Sequence, residues 1–333
     1  MEMRDTAMYV RAGKLEPLSE EITSLFRTTT EFNGQVYTAP LSGENTQGII
    51  YNKKYFDDNG LTEPTTYEEF MTLCQTIKDK GDMAPIVVGG QDIWHMGFLF
   101  HKAYNDQVLS KDPDFIEHCY EGTKDFSDET MKATFQELKD IFQYAQDGWT
   151  STPDAQITTF LVNDMAAMMY SGTHMFSQID AADPDFEYGW FAIPSPDGKT
   201  RLESCVGGLA ISAEAAKDPD KKAAAEAFIK FFFAPENYKV YCETLNFIPT
   251  TVDEPQMDVS PVFQEVIDAN ASADDLAPIG NNELPPDFRN FTYKTLTEVL
   301  QGTRDIDSAC DELNKTWQVS MQSFNPVTGV GIE

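Results

Sequence analysis

Residues 51–70 read YNKKYFDDNGLTEPTTYEEF, and the chain changes its secondary structure several times within this short stretch. A strand-like run, 48–51, breaks at Asn52. The segment 53–59 then predicts a short helix that stops at Gly60, and a second helix begins after Pro64. The stretch contains no His, no Cys and only scattered acids, so nothing in it indicates catalysis. We interpret it as a connection between two lobes that move.

The length and composition favour a folded, acidic protein with about two domains. At roughly 150 residues per domain, 333 residues suggest two lobes. A hydrophobic content of 41% with 12% aromatic residues is enough for sizeable cores. The 24 Lys and Arg residues stand against 55 Asp and Glu, giving a formal charge of −31, which repels nucleic acid and anionic lipid surfaces. Nucleic acid is therefore not an expected partner.

The cysteines and histidines predict no metal or redox site. The five cysteines lie far apart and never form a CxxC pair, and the four histidines are not at metal-ligand spacing. Cys74, Cys242 and Cys310 fall on apolar positions of predicted helices, where a free Cys acts as a small buried hydrophobe. We expect no metal and no cofactor.

The beginning of the chain, MEMRDTAMYVRAGKLEPL, has no apolar core typical of an export signal. No later run approaches the length of a membrane span. The sequence as given therefore predicts neither an export signal nor a transmembrane helix.

Helical patterns alternate with short apolar strands. Thr66 and Glu69 fit a capping box for a helix that ends before Gly81. A buried strand at 84–88 ends at a Gly-Gly pair, and a helix is predicted over 129–147. Further predicted strands are 166–170, 188–193 and CVGGLAIS at 205–212, and further predicted helices are 220–233, 236–245, 288–301 and 306–321. This alternation favours open α/β sheets.

Sequence signatures of enzymes are absent: no GxSxG, HExxH, P-loop or GxGxxG motif occurs. Among so many acids, a carboxylate pair suited to glycoside hydrolysis could still assemble on folding, so an acidic glycoside hydrolase remains an alternative. Gly207 and Gly208 either cradle a ligand or mark a bulge or a close contact between backbones.

Seven segments in a fixed order carry a resemblance to a known family. They are YVRAGKLEPL, NGQVYTAPL, GIIYNKKYFDDNGLTEPTTYEEF, FLVNDMAAMMYSGTH, CVGGLAIS, AEAFIKFFFAPE and NFIPT. Together they resemble the extracellular solute-binding proteins of ABC transporters, family 1, which include maltose-binding proteins. The resemblance implies an α/β, two-lobed periplasmic-binding-protein-like fold of type II. In that family the YNK segment follows the first crossing between the lobes.

The resemblance also implies how the chain is divided. The first lobe would contain residues 1–48 and 208–255, and the second lobe residues 49–207 and 256–333. Hinge crossings are expected near 45–50, 204–210 and 250–260. Relatives begin with an exported, often lipid-anchored leader and about 60 further residues of the first lobe. We therefore expect the first lobe to be incomplete at its N-terminus in this chain, and the full-length form to be a membrane-anchored lipoprotein.

The implied function is to hold a sugar or oligosaccharide in the cleft between the lobes, without breaking a bond, and to deliver it to the permease subunits of an ABC importer. The implied location is extracellular or periplasmic, the implied state is a monomer, and no catalytic residue is expected. A non-sugar solute such as a polyamine or a phosphodiester remains an alternative ligand.

Candidate binding residues follow from the resemblance and from loop positions. They are Asn45, Asp92, Trp94, His95, Gly172, His174, Gly207, Gly208 and Arg289. Several also have a purely structural interpretation: Trp94 as core, Asp92 as a solvated loop acid or a helix cap, Arg289 as a surface residue. Trp190 and Trp317 are predicted to be core residues because Trp190 lies in an apolar predicted strand and Trp317 lies on the apolar face of a predicted helix.

Overall fold

The structure, a computed structural model, describes residues 6–32, 34–41, 45–205, 207–278, 284 and 286–323. The strands are β1 (Leu15–Glu16), β2 (Glu31–Phe32), β3 (Gln35–Val36), β4 (Ala39–Pro40), β5 (Asn45–Asn52), β6 (Ala84–Val87), β7 (Ala166–Gly172), β8 (Tyr188–Phe191), β9 (Arg201–Cys205), β10 (Gly208–Leu209), β11 (Ile211–Ser212) and β12 (Asp275–Pro278). The helices are α1 (Thr6–Arg11), α2 (Glu20–Thr23), α3 (Lys53–Asn59), α4 (Tyr67–Lys80), α5 (Met96–Tyr104), α6 (Phe115–Glu121), α7 (Glu129–Phe142), α8 (Ile157–Val162), α9 (Met175–Ala182), α10 (Ala213–Ala216), α11 (Pro219–Phe232), α12 (Pro235–Leu245), α13 (Pro261–Ser272), α14 (Pro286–Leu300) and α15 (Ile306–Ser323).

The 51–70 stretch folds as its sequence predicts. The side chain of Asn52 accepts a hydrogen bond from the backbone of Tyr55 and so caps α3, which ends at Gly60 with φ 64°. At α4, the side chain of Thr66 accepts from the Glu69 backbone while the Glu69 side chain accepts from the Thr66 backbone. This capping box was predicted and is confirmed.

The largest sheet is built around β5. Its strand order is β12-β9-β5-β7-β6, and β8 also pairs with β5. The first residues of β5 pair with β9, its last residues pair with β8, and its other edge pairs with β7. The strands on both sides of β5 run antiparallel to it, whereas β6 and β7 are parallel to each other. The carboxyl ends of β6 and β7 therefore meet at one edge of the sheet.

Helices bury both faces of this sheet. On one face, α4, α5, α7, α14 and α15 form a core that includes Phe135 and Trp317. On the opposite face, α8, α9 and α13 form a core that includes Trp190 and Phe263. Side chains alternate along β5 between the two cores. Trp190 and Trp317 are 3% and 2% exposed, which confirms the prediction that both are core residues.

A third core lies apart from that sheet and comes from two stretches of the chain. Its buried members are Leu18, Ile22, Phe26, Ala39, Ile211, Ile229, Phe233, Tyr238, Cys242 and Phe247. Short two-stranded ladders accompany it, namely β1 with β11, β4 with β10, and β2 with β3. Phe233 finds apolar partners here, whereas Phe228 and Phe231 stay 54% and 63% exposed.

Two chain segments run side by side between this third core and the large sheet. β4 pairs with β10 and, after residues outside the described part, the beginning of β5 pairs with the end of β9. A third segment is fastened near Thr251, which forms a β-bridge with Phe26, and Val252 N donates to Leu25 O over 2.8 Å. The lobe boundaries and hinge positions given above stay predictions.

Several predicted elements differ from the structure. The helix predicted over 129–147 ends at Phe142, because the next residues join the sheet edge: Ile86 N donates to Tyr144 O and Gln146 N donates to Ile86 O. The single strand predicted over 205–212 is divided into the end of β9, β10 and β11, with residue 206 outside the described part. Neither β12 nor α13 was predicted from the sequence.

Four cysteines, Cys74, Cys119, Cys242 and Cys310, are free and buried. Burial raises the pKa of the Cys242 thiol to about 12 and that of Cys310 to about 11, so both stay protonated and pack as apolar groups. No helix within the described ranges is both long and apolar enough to cross a membrane.

We predict that Thr66→Ala lowers the free energy of unfolding by about 1 kcal/mol, because it removes half of the capping box of α4. The measurement is urea unfolding followed by circular dichroism. Thr72→Ala is the matched control: Thr72 is exposed in the interior of the same helix and its side chain donates to Glu68 O, so its replacement removes no cap and should be neutral or slightly stabilising, since Ala is the better helix former. Equal losses in both variants would contradict the capping role.

Candidate functional site

The loop that follows β6 carries three of the predicted binding residues. Asp92 N donates to Gly89 O over 3.2 Å, and His95 N donates to Asp92 O over 2.9 Å, which closes a turn of 3₁₀ helix at Ile93–His95. The turn leads directly into α5. Trp94 lies within it and is 46% exposed, which contradicts the interpretation of Trp94 as core.

A second loop, 149–156, lies directly against the first. Gly90 N donates to Trp149 O over 3.0 Å, and Gln91 N donates to Thr152 O over 3.1 Å. A Cβ on Gly89 would lie 2.7 Å from the Cα of Asp154, and one on Gly90 would lie 2.4 Å from the Trp149 ring. The Gly-Gly pair is therefore required by the close approach of the two loops.

Asp154 joins the two loops through both its backbone and its side chain. Its backbone N donates to Asp92 Oδ2 over 2.8 Å, and its Oδ1 is 2.7 Å from His95 Nδ1. The Asp92 side chain makes no capping bond to the turn that follows it, so the helix-cap interpretation of Asp92 is wrong. Asp154 was not among the residues predicted from the sequence. Its position after Pro153 is typical of a helix start, and only the fold brings it to Asp92.

His174 reaches the same cluster from the neighbouring strand. It follows Gly172 at the end of β7, beside the end of β6, as expected for parallel strands whose carboxyl ends share an edge. Burial lowers the pKa of His174; the Asp154 carboxylate acts in the opposite direction, and His95 lowers it further. The structure thus joins Asp92, His95 and Asp154 by hydrogen bonds beside the exposed Trp94, and His174 lies close enough for the charges of Asp154 and His95 to act on it.

Arg289 lies on α14, which packs against the 93–95 turn. Arg289 is 8% exposed, so the interpretation of this residue as an ordinary surface Arg is wrong.

Of the remaining predicted residues, Asn45 and Gly172 lie in the large sheet, and Gly207 and Gly208 lie at the β4–β10 ladder. Asn45 pairs through its backbone with Cys205, and Gly172 lies opposite Gln47 on β5. Gly207 O accepts from Leu41 N over 2.8 Å. A Cβ on Gly208 would lie 1.9 Å from Thr38 Cγ2, so a close contact between strands explains this glycine. That was the structural alternative considered for Gly208.

This arrangement can bind a polyhydroxylated ligand. An indole face accepts apolar C–H groups, and carboxylates and imidazoles pair with hydroxyls in a partly desolvated environment. Among the residues that the structure describes, no group of three or more His, Cys, Asp or Glu side chains is arranged to hold a metal ion.

The fold is that of two-lobed α/β solute-binding proteins. A solved structure of a chitin oligosaccharide binding protein superposes with a TM-score of 0.84 at 23% identity, covering 96% of this chain and 82% of that chain. A solved complex of the binding protein RafE with raffinose superposes with a TM-score of 0.73 at 23% identity, covering 96% and 84%. At these identities the similarity shows the fold alone.

The family follows from sequence. Residues 3–269 match the family described as bacterial extracellular solute-binding protein, and the chain belongs to this family. It is 28% identical over 209 residues to a multiple sugar-binding protein of Streptococcus mutans, covering 60% of this chain and 47% of that protein. It is 25% identical over 326 residues to the diacetylchitobiose binding protein DasA of Streptomyces coelicolor, covering 91% and 72%.

The chain spans about half the length of some of these relatives. The matched part covers 47% of the Streptococcus mutans protein and 58% of a probable sugar-binding periplasmic protein of Mesorhizobium japonicum.

We predict that His174→Gln reduces the loss of stability in mild acid. Because the pKa of His174 is lower in the folded than in the unfolded chain, the unfolded chain takes up the proton first as pH falls below about 6.5, and the folded state is destabilised. Urea unfolding at pH 7.5 and pH 5.5 measures the difference between variant and wild type.

His118→Gln is the control with the opposite sign. A hydrogen bond from His118 to the Asp112 carboxylate raises the pKa of His118, so its stabilising contribution is present at low pH and lost as pH rises. Between pH 7.5 and pH 5.5, the free energy of unfolding of His118→Gln should therefore decrease relative to that of the wild type. Over the same range, that of His174→Gln should increase relative to the wild type. The same pH response in both variants would contradict the assignment.

Proposed function

We propose that this chain is the carbohydrate-binding part of an extracytoplasmic solute receptor, which holds an oligosaccharide between its two lobes and delivers it to an ABC importer. Its partners would be the permease subunits, and it would act as a monomer outside the cytoplasm, anchored to the membrane as a lipoprotein. The observation that carries the proposal is the exposed Trp94 indole, presented on a clamped loop beside Asp92, His95 and His174.

The chemistry of this cluster supports a sugar more than the alternative solutes. A flat indole covers the C–H face of a pyranose ring, and the neighbouring carboxylate and imidazole groups match its hydroxyls. The ligands named in the descriptions of relatives are sugars, including diacetylchitobiose and chitin oligosaccharides, and this supports an oligosaccharide ligand here.

We also propose binding without catalysis. A glycoside hydrolase needs two carboxyl groups that face the scissile bond from opposite sides. Here the Asp154 carboxylate bonds to His95, and the Asp92 carboxylate bonds to the Asp154 backbone. Both groups serve to hold the loops together, so this pair does not form such an arrangement.

Trp94→Ala should weaken oligosaccharide binding by about 1–3 kcal/mol, because it removes a stacking surface. It should leave the melting temperature nearly unchanged, since the side chain is 46% exposed. Titration calorimetry against N-acetylated chito-oligosaccharides, raffinose and mannobiose gives the affinity, with spermidine as a non-sugar ligand. Trp94→Phe should restore part of the affinity, because it retains a ring.

Two outcomes would contradict the proposal. Wild-type protein that binds spermidine and none of the sugars would favour the polyamine alternative. Continuous release of reducing sugar from any of the oligosaccharides would favour the hydrolase alternative.

We further propose that the sugar closes the two lobes by hinge motion at segments near 45–50, 204–210 and 250–260. Elements of the large sheet and of the third core already meet beside the site: Thr173 Oγ1 donates to Asn246 O over 2.7 Å, and Ser177 Oγ donates to Thr244 O over 2.5 Å.

Small-angle X-ray scattering should therefore show a smaller radius of gyration with a binding sugar and no change with a non-binding one. A ligand shifts such an equilibrium only by its differential affinity for the closed form. Trp94→Ala is the control, since at the same sugar concentration it should compact less. Identical radii for the wild type with and without saturating sugar would contradict hinge closure.

A further inference from the structure

The loop that carries Trp94 has little internal structure to hold its tryptophan in place. Its only regular element is one turn of 3₁₀ helix, Ile93–His95. The Trp94 ring meets Phe98 edge-on at 5.6 Å between ring centroids, and close to half of the side chain is exposed. A stacking residue in this position needs support from outside its own loop, because an indole that samples several orientations must lose that freedom on binding.

Asp154 provides that support, because it forms hydrogen bonds with residues on both sides of Trp94 in the turn. Its backbone N–H donates to the Asp92 carboxylate, and its own carboxylate bonds to the His95 ring. Asp92 and His95 also share the backbone bond that closes the turn, from His95 N to Asp92 O. The two side-chain contacts and the turn therefore form a closed ring of hydrogen bonds around Trp94.

The charge and burial of the pair fit a structural clamp. A carboxylate oxygen accepts hydrogen bonds, so His95 donates from Nδ1 to Asp154, and this bond fixes the orientation of the imidazole ring. The side chains of His95 and Asp154 are 4% and 22% exposed, so water competes weakly for their bond. Gly89 allows the contact, since its lack of a Cβ lets the Asp154 backbone approach.

We propose that Asp154 is a positioning residue of the binding site: it clamps the Asp92–His95 turn and thereby holds the Trp94 indole in the orientation that stacks on the sugar. This inference rests on the proposed function. It assigns Asp154 no contact with the ligand. Its role is to reduce the conformational freedom that the loop would otherwise lose when the sugar binds.

The test compares Asp154→Ala with Asp154→Asn. Alanine removes the acceptor for His95, and we expect about tenfold weaker binding of the best oligosaccharide by calorimetry, as for the loss of one charge-assisted hydrogen bond. Asparagine keeps an acceptor oxygen for His95 and the backbone N–H for Asp92, so it should retain an affinity close to that of the wild type. Asp147→Ala, which removes an exposed carboxylate just before the second loop, is the matched control and should bind normally.

A second readout needs no ligand. The chain contains four tryptophans, so protein labelled with 5-fluorotryptophan gives four fluorine resonances, and Trp94→Phe identifies that of Trp94. In sugar-free Asp154→Ala, the Trp94 resonance should shift and narrow as the ring gains mobility, while those of the buried Trp190 and Trp317 stay in place. In Asp154→Asn all four should resemble the wild type.

Three results would overturn the proposal. An unchanged Trp94 resonance in Asp154→Ala would show that Asp154 does not hold the ring. Equal loss of affinity in the Asn and Ala variants would show that the carboxylate contacts the ligand directly. Displaced Trp190 and Trp317 resonances would show a global effect on folding. If the wild type binds no sugar at all, the proposed function fails, while the fluorine spectra of the sugar-free protein still decide whether the clamp exists.

Discussion

The contact between two loops at the edge of the large sheet is the constraint on which the candidate site depends. Gly89 and Gly90 bring the loop after β6 so close to residues 149–154 that neither position has room for a Cβ. The backbone bonds from Gly90 to Trp149 and from Gln91 to Thr152 then fix the pair of loops. Only in this arrangement do Asp92 and His95 reach Asp154, so the orientation of Trp94 follows from a packing requirement several residues away.

The large sheet supplies the rigid base for those loops. β5 pairs with β7, β8 and β9, and both faces of the sheet are covered by helices, so the ends of β6 and β7 are held at one edge. Binding residues on loops at the end of such a sheet can be placed accurately without being buried in the core. Trp94 and His174 lie on the loops that follow the adjacent strands β6 and β7.

Local sequence signals predicted the fold well where structure is decided locally. The capping box of Thr66 and Glu69 and the Gly60 stop depend on neighbouring residues, and each appears in the structure. The helix predicted to reach residue 147 stopped at Phe142, because Tyr144 and Gln146 bond to Ile86 on another element, and no local pattern contains that information.

The same limit applies to the site. Trp94, His95 and His174 could be selected as candidate binding residues because they lie at strand ends, and the family resemblance indicated the same positions. Asp154 could not be found in this way, because its partners, Asp92 and His95, lie about sixty residues earlier and meet it only through the fold. The burial of Arg289 was missed for the same reason, since the packing of α14 on the 93–95 turn is a tertiary contact.

A crystal structure of the protein with the tightest-binding oligosaccharide tests the central claim most directly. The account predicts a sugar ring stacked on the exposed face of Trp94, with hydroxyls bonded to groups of the Asp92, His95 and His174 cluster and with the Asp154 clamp unchanged. A sugar bound elsewhere, with Trp94 still facing solvent, would contradict the account.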